Sequence, residues 1–158
     1  MSIKWPEGTQ SLPASIIHYE TFSYTTRRTS IRTSSGNYFA LISGTFNKKF
    51  SDSKILVTGF SQGWGNYSGA VQFRCYVGNQ YVDIGGGYQY TGDSYLKAYH
   101  CNALISNNTQ TGNITVSYGY RSLNNGSESP FDIQNPASND DNRLSSTGTV
   151  MHVWELAG

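Results

Sequence analysis

Charge is the scarcest resource in this chain. Lys, Arg, Asp and Glu make up 13% of its 158 residues, roughly half the ~25% of an average globular protein. They nearly cancel, leaving a formal net charge of +1 and a pI near 7.8. Such a balance argues against nucleic acid or an acidic membrane surface as the main partner. Cysteine is almost as rare: Cys75 and Cys101 show no paired C-x-x-C spacing, too few ligands for a zinc site. Each falls in a predicted strand among apolar neighbours, which reads as buried free thiols in preference to a disulfide. No apolar run approaches the ~20 residues that cross a bilayer. Residues 1–15, MSIKWPEGTQSLPAS, hold one Lys and no hydrophobic core, so they read as neither a secretory leader nor a membrane span. Without such a leader, the sequons beginning at Asn66, Asn107, Asn113 and Asn125 read as chance matches, and the chain is expected to be made and kept in a cytoplasm. Heptads and collagen-like repeats are absent too, which removes a fibre shaft.

What the chain has instead is Gly (17), Tyr (12) and many Ser, Thr and Asn, the composition of an all-β domain with frequent turns. A length of 158 residues suits one domain able to bury a core without staples. The least interrupted β-type run is Phe50 to Ser61. Ile55, Val57 and Gly59 fall on one face and Leu56, Thr58 and Phe60 on the other, so the strand is expected to be covered on both sides, centrally in a sandwich or at a subunit contact. Before it, 16–28 and 38–47 read as strands, the latter with Phe39 and Leu41 opposite Tyr38, Ala40, Ile42 and Phe46. After it, Val71, Phe73, Cys75 and Val77 alternate with Gln72, Arg74 and Tyr76, and Gly78-Asn79 is a hairpin signal into 80–84, which the glycines 85–87 are expected to end. In 95–105, Cys101, Ala103 and Ile105 mark the core face and His100 the outer one; the segment has some helical character, but its turn-rich flanks favour a strand. Ile114, Val116, Tyr118 and Tyr120 line a further strand, 122–142 reads as a long surface excursion, and 147–156 closes the chain. The expected architecture is a β-sandwich, residues 16–158, preceded by an extended arm, residues 1–15, that Trp5-Pro6 and Leu12-Pro13 keep irregular.

Candidate sites are few. Ile3, Trp5 and Leu12 give the arm something to bury, against its own domain or against a neighbour. Trp64 and Tyr67, between glycines in a 62–69 loop, together with Tyr88 and Tyr90, form a possible platform for sugar rings; the alternative, favoured for Trp64, is a plug at one end of the sandwich. Tyr118 and Tyr120, on a charge-poor face, suggest a surface shared between subunits. His18 and Glu20 are near neighbours on one strand face, but a catalytic pair lacks a nucleophile and an orienting third group. Arg27, Arg28, Arg32, Lys48 and Lys49 read as a solvated basic rim or as partners for acidic residues. The run Asn139 to Asn142 carries oxygen ligands without the Gly and distal Glu of an EF-hand loop, so it reads as a polar turn. The glycines 85–87 lack the Lys-Ser/Thr pair and following helix of a phosphate loop, and no cofactor, catalytic group or metal is expected.

The segments FSDSKILV (50–57) and STGTVMHVWEL (146–156), with the Gly-Asn strand pair and the long Asn/Asp turn between them, resemble a domain of structural proteins of tailed bacteriophages. In that family a Ser-Lys-Ile-Leu-Val strand lies near the middle and a Thr-rich strand ending in hydrophobic-Glu-hydrophobic closes the chain. Order and spacing match over about 16–156; His152 and Trp154 stand where smaller residues are expected, and 1–15 has no counterpart. The resemblance implies a jelly-roll-like sandwich, commonly trimeric, on a virion surface and assembled in the host cytoplasm. It brings no catalytic residues. The expected function is a homotrimeric capsid-decorating (cement) protein that contacts the major capsid protein; the alternative is a tail fibre or receptor-binding tip, set among tail proteins, that recognises host-surface glycans.

Overall fold

The period-two segments fold as strands, and no helix forms among the described residues. The computed structural model describes residues 15–26, 28–29, 37–65, 69–89, 95–123, 133–134 and 148–158. Its strands are β1 Ile16–Tyr24, β2 Arg28–Thr29, β3 Tyr38–Lys48, β4 Lys54–Gly65, β5 Gly69–Val77, β6 Gln80–Gln89, β7 Tyr95–Ile105, β8 Gly112–Ser122, β9 Ile133–Gln134 and β10 Thr149–Leu156. One sheet runs β1-β10-β4-β9-β2, with β7 on the other edge of β4; the second runs β3-β8-β5-β6. Every recorded pair is antiparallel. The eight long strands nest as one folded hairpin: β5 pairs with β6, β4 with β7, β3 with β8 and β1 with β10. Rolled up, that hairpin yields the faces β1-β10-β4-β7 and β3-β8-β5-β6, which is the connectivity of a jelly roll.

The core lies between these faces. Ile55 and Val57 of β4 and Met151 and Val153 of β10 meet Leu41, Phe46, Cys75, Val77, Val116, Tyr118 and Tyr120 of the opposite sheet, all at 0% exposure. β4 holds the central place its sequence suggested, hydrogen-bonded to β10 on one side and β7 on the other. The expected inward rows of β5, β7 and β8 are buried as read.

Four boundaries differ from the sequence reading. The Phe50–Ser53 turn leads into β4, which continues to Gly65, so that its backbone takes in part of the expected 62–69 loop. β6 runs through glycines 85–87 because their backbones keep the β5 ladder, Gly85 opposite Phe73 and Gly87 opposite Val71. The excursion after Ser122 contains the short β9, which joins β4 at Gly63 and Trp64. A register shift between Ala40 and Ile42 places both Leu41 and Ile42 in the core, which breaks the expected alternation of β3. The Gly78-Asn79 hairpin forms as its residues suggested, with Gly78 at φ 58° in the left-handed region that favours glycine.

Two charges are buried where β3 turns into β4. Glu155 is wholly enclosed and accepts hydrogen bonds from Lys49 N (2.8 Å), Phe50 N (2.8 Å) and Ser53 Oγ (2.5 Å). Burial pushes the carboxyl pKa up, but the hydrogen bonds from Ser53, Lys49 N and Phe50 N, with the charge of Lys48, outweigh it and hold the group below its usual range. Lys48 donates to Asn108 O at 2.8 Å and to Phe50 O, and burial lowers its pKa. Lys48 is therefore a structural cation inside the fold and not part of a basic rim. Arg28 also leaves that expected patch: its guanidinium stacks on Tyr24 at 3.9 Å and donates to Ala40 O at 3.0 Å.

Candidate functional site

The outer face of the β1-β10-β4-β7 layer leaves apolar side chains in solvent. Strand register arranges the outward side chains in rows that cross all four strands. One row is Tyr19, Trp154, Leu56 and Leu104; the next is Thr21, His152, Thr58 and Asn102; the third is Ser23, Val150, Phe60 and His100. The inward residues of β4 and β10 fill the core, so alternation alone sends this second apolar set outward. It stays partly in solvent: Leu104 is 52% exposed, Tyr19 47% and Ile17 36%, with Ile16 at 63% beside them.

Ring contacts and hydrogen bonds order the patch. Tyr19 lies 5.3 Å from the Trp154 ring and 6.1 Å from His152, nearly parallel to the latter. Thr21 Oγ1 donates to Tyr19 Oη at 2.5 Å, and both oxygens lie 3.0 Å from His152 Nδ1. Between His152 and His100 runs a shallow groove of about 380 Å³ lined by Thr58, Phe60, Asn102 and Val150 as well as the two histidines. Phe60 and His100 stack at 5.2 Å along one side.

Chemically this face suits recognition. The Phe60 ring, the Asn102 amide, the Thr58 hydroxyl and two imidazoles line the groove, and among the described residues no carboxylate does. Among the described residues no group of three or more His, Cys, Asp or Glu side chains is placed to hold a metal. His18 and Glu20 do meet, Nε2 to Oε1 at 2.8 Å, but Glu20 also accepts weakly from Asn47 N at 3.4 Å and His18 lies on the Phe46 ring at 5.0 Å. The pair thus ties β1 to β3.

The expected site residues have varied fates. Tyr118 and Tyr120 are at 0% exposure between the sheets, Tyr118 donating to Tyr99 O at 3.0 Å and Tyr120 packing on Phe39 at 5.6 Å. Their row is the inner face of β8, so of the two readings of a charge-poor tyrosine face, buried or shared between subunits, the structure shows the buried one. The backbone of Trp64 lies in β4 opposite Leu96 and Ile133, and that of Tyr88 in β6 opposite Ala70. Their side chains, and all of Tyr67, Tyr90, Ile3, Trp5, Leu12 and 139–142, lie outside the described residues. Sequence reasoning missed Tyr19, Thr21, Thr58, Asn102 and His152. Each outward set was visible as a period of two, but only the register of four strands brings them together.

The β3-β8-β5-β6 layer carries a different outer face. Arg74 is buried and clamps Asp83 through Nε (2.6 Å) and Nη2 (3.1 Å), its guanidinium 3.7 Å over the Tyr81 ring. The Arg74 hydrogen bonds hold the Asp83 carboxyl below its usual range. This clamp spans β5 and β6.

The connectivity places the chain among jelly rolls, an architecture that viral capsid, lectin and cupin domains share. No protein-family model and no curated protein sequence matches the chain. Among solved structures it is similar to infectious bursal disease virus Gt strain, at 12% identity and a TM-score of 0.44, covering 100% of this chain and 42% of that one. The VP2 subviral particle of infectious bursal disease virus gives the same 12%, 0.44, 100% and 42%. Dimeric latent PorU from Porphyromonas gingivalis gives 8% identity and 0.43, with 99% of this chain and 14% of that chain covered. The chain thus spans about two fifths of the length of the viral chains. One architecture hosts many roles, and a likeness this distant transfers none of them.

Proposed function

We propose that the chain is a non-enzymatic structural protein of a bacteriophage particle, a homotrimer that decorates the outside of the capsid and is assembled in the host cytoplasm. The observation that carries this reading is the cross-strand row Tyr19-Trp154-Leu56-Leu104, two of whose members stay about half exposed on an otherwise well-packed sandwich. Contiguous exposed apolar surface of this kind marks protein contacts. The phage-like segments 50–57 and 146–156 supply the virion context, and they form the turn, β4 and β10 that build this layer. The arm, residues 1–15, with Ile3, Trp5 and Leu12, is the second contact, gripping the major capsid protein. A decorating role requires many copies per particle. Gel densitometry of purified virions is expected to give a stoichiometry comparable with the capsid protein, and a handful of copies would move the chain to the tail.

The groove favours a second reading, a receptor-binding tip on the tail that takes a host-surface glycan. Ring faces beside amide and hydroxyl groups are what a sugar ring needs. Trp64, Tyr67, Tyr88 and Tyr90 are further candidates for the same recognition. On this reading Trp64→Ala abolishes adsorption to cells and leaves particle stability intact; unchanged adsorption removes it.

A further inference from the structure

The two thiols of this chain face each other across the sandwich. Cys75 sits on β5 and Cys101 on β7, in opposite sheets, with exposures of 0% and 2%. Two residues earlier on each strand, Phe73 and Tyr99 already meet across the core with ring centroids 4.4 Å apart. Stepping two residues along both strands carries that cross-sheet contact to Cys75 and Cys101. Tyr118 marks the same place from a second direction. It is the β8 neighbour of Cys75, and a β-carbon at Gly59, the β4 neighbour of Cys101, would lie 3.3 Å from Tyr118 Cδ1 and 3.4 Å from Cys101 Cβ. Each Sγ reaches a backbone carbonyl, Cys75 that of Tyr76 at 4.0 Å and Cys101 that of Val57 at 3.9 Å, and the nearness of Cys101, with burial, raises the Cys75 pKa.

We infer that Cys75 and Cys101 form a latent inter-sheet disulfide site: a dithiol in the structure described here that an oxidant small enough to enter converts to a covalent staple between β5 and β7. A diazenedicarboxamide such as diamide supplies the balance. One thiolate adds to its N=N bond, the second thiolate attacks that sulfur, and the S–S bond forms as the reduced hydrazine leaves with both protons and both electrons. The bond would close a loop from 75 to 101 and join the two layers covalently, close to the hydrogen bond from Tyr118 of β8 to Tyr99 O of β7. Burial and the raised Cys75 pKa make the reaction slow, so the site stays reduced under mild oxidation.

The test uses the full chain in native buffer with diamide, followed by denaturation, alkylation and mass measurement. The expected product is a monomer lighter by two hydrogens, with neither thiol alkylated and a peptide map that links the β5 and β7 peptides. Its thermal midpoint should rise by about 5–10 °C and return on reduction. Alkylation of both thiols after prolonged treatment, or oxidation only as chain-to-chain cross-linked dimers, would overturn the site. The mass of the wild-type chain decides this without any variant. Cys101→Ala adds a control: treated alike, it should show no two-hydrogen loss and keep its midpoint, and an equal rise in that variant would also count against the staple.

Discussion

At the scale of single residues, Glu155 shows how a chain with few charges uses one inside. It stands in a hydrophobic-Glu-hydrophobic triplet at the end of β10, and the strand's alternation buries it with Met151 and Val153. The sequence offered no partner, because the donors come from a turn about a hundred positions earlier: Lys49 N, Phe50 N and Ser53 Oγ. Glu155→Gln keeps the shape but loses the charge-assisted bonds, at a cost of about 1–3 kcal/mol, measurable by urea unfolding at pH 7. Its folded pKa lies below that of a free Glu, about 4.3. The contribution is therefore complete above that value and drains away as pH falls through the folded pKa. Unfolding free energies of wild type and variant should accordingly converge below about pH 4, and a constant gap down to pH 3 would contradict this account.

At the scale of strands, the legible part of the fold was whatever alternation and turn chemistry encode locally. The rows Val71-Phe73-Cys75-Val77 and Ile114-Val116-Tyr118-Tyr120 and the Gly78-Asn79 hairpin were readable from their own residues. The β3 irregularity was not, because it depends on what β8 brings opposite. There Gly119 lies against β3 so closely that a β-carbon would stand 2.0 Å from Phe39 O and 2.9 Å from Ala40 Cα. Backbone cannot yield as a side chain can. Gly119→Ala should therefore separate β3 from β8 locally and cost about 3 kcal/mol, seen as a lower denaturant midpoint with faster amide exchange in 38–42. The same reasoning explains the misread glycines 85–87. A run of glycine suggests a strand end, yet β6 is an edge strand whose ladder to β5 needs only backbone. The candidate site was the least legible feature, since Tyr19, His152, Thr58 and Asn102 lie far apart in sequence and become neighbours only through nested pairing.

At the scale of the molecule, the proposed assembly rests on surfaces that can be altered without touching the core. Leu104 is outward, half exposed and at the β7 end of the apolar row, so Leu104→Glu should leave the unfolding free energy within about 0.5 kcal/mol of wild type. If that face is shared, the substitution should convert the trimer to monomer in light scattering. A trimer that persists in the variant would send the contact elsewhere, and a wild-type monomer stable to dilution would remove the trimer altogether. Deleting residues 1–15 separates the other contact: the sandwich should keep its thermal midpoint while the protein no longer sediments with particles. Retention on particles would reject the arm as the anchor.

The pairing of the first and last long strands has a mechanical consequence. Ala157 N donates to Ser15 O at 3.0 Å, and β1 and β10 run antiparallel from that corner. A pull that separates residues 15 and 157 therefore loads the ladder from one end, and its hydrogen bonds open one after another like a zipper. Strain delivered through a neighbour attached at that corner would peel β1 away first and leave the core-bearing β4 with its β7 partner intact.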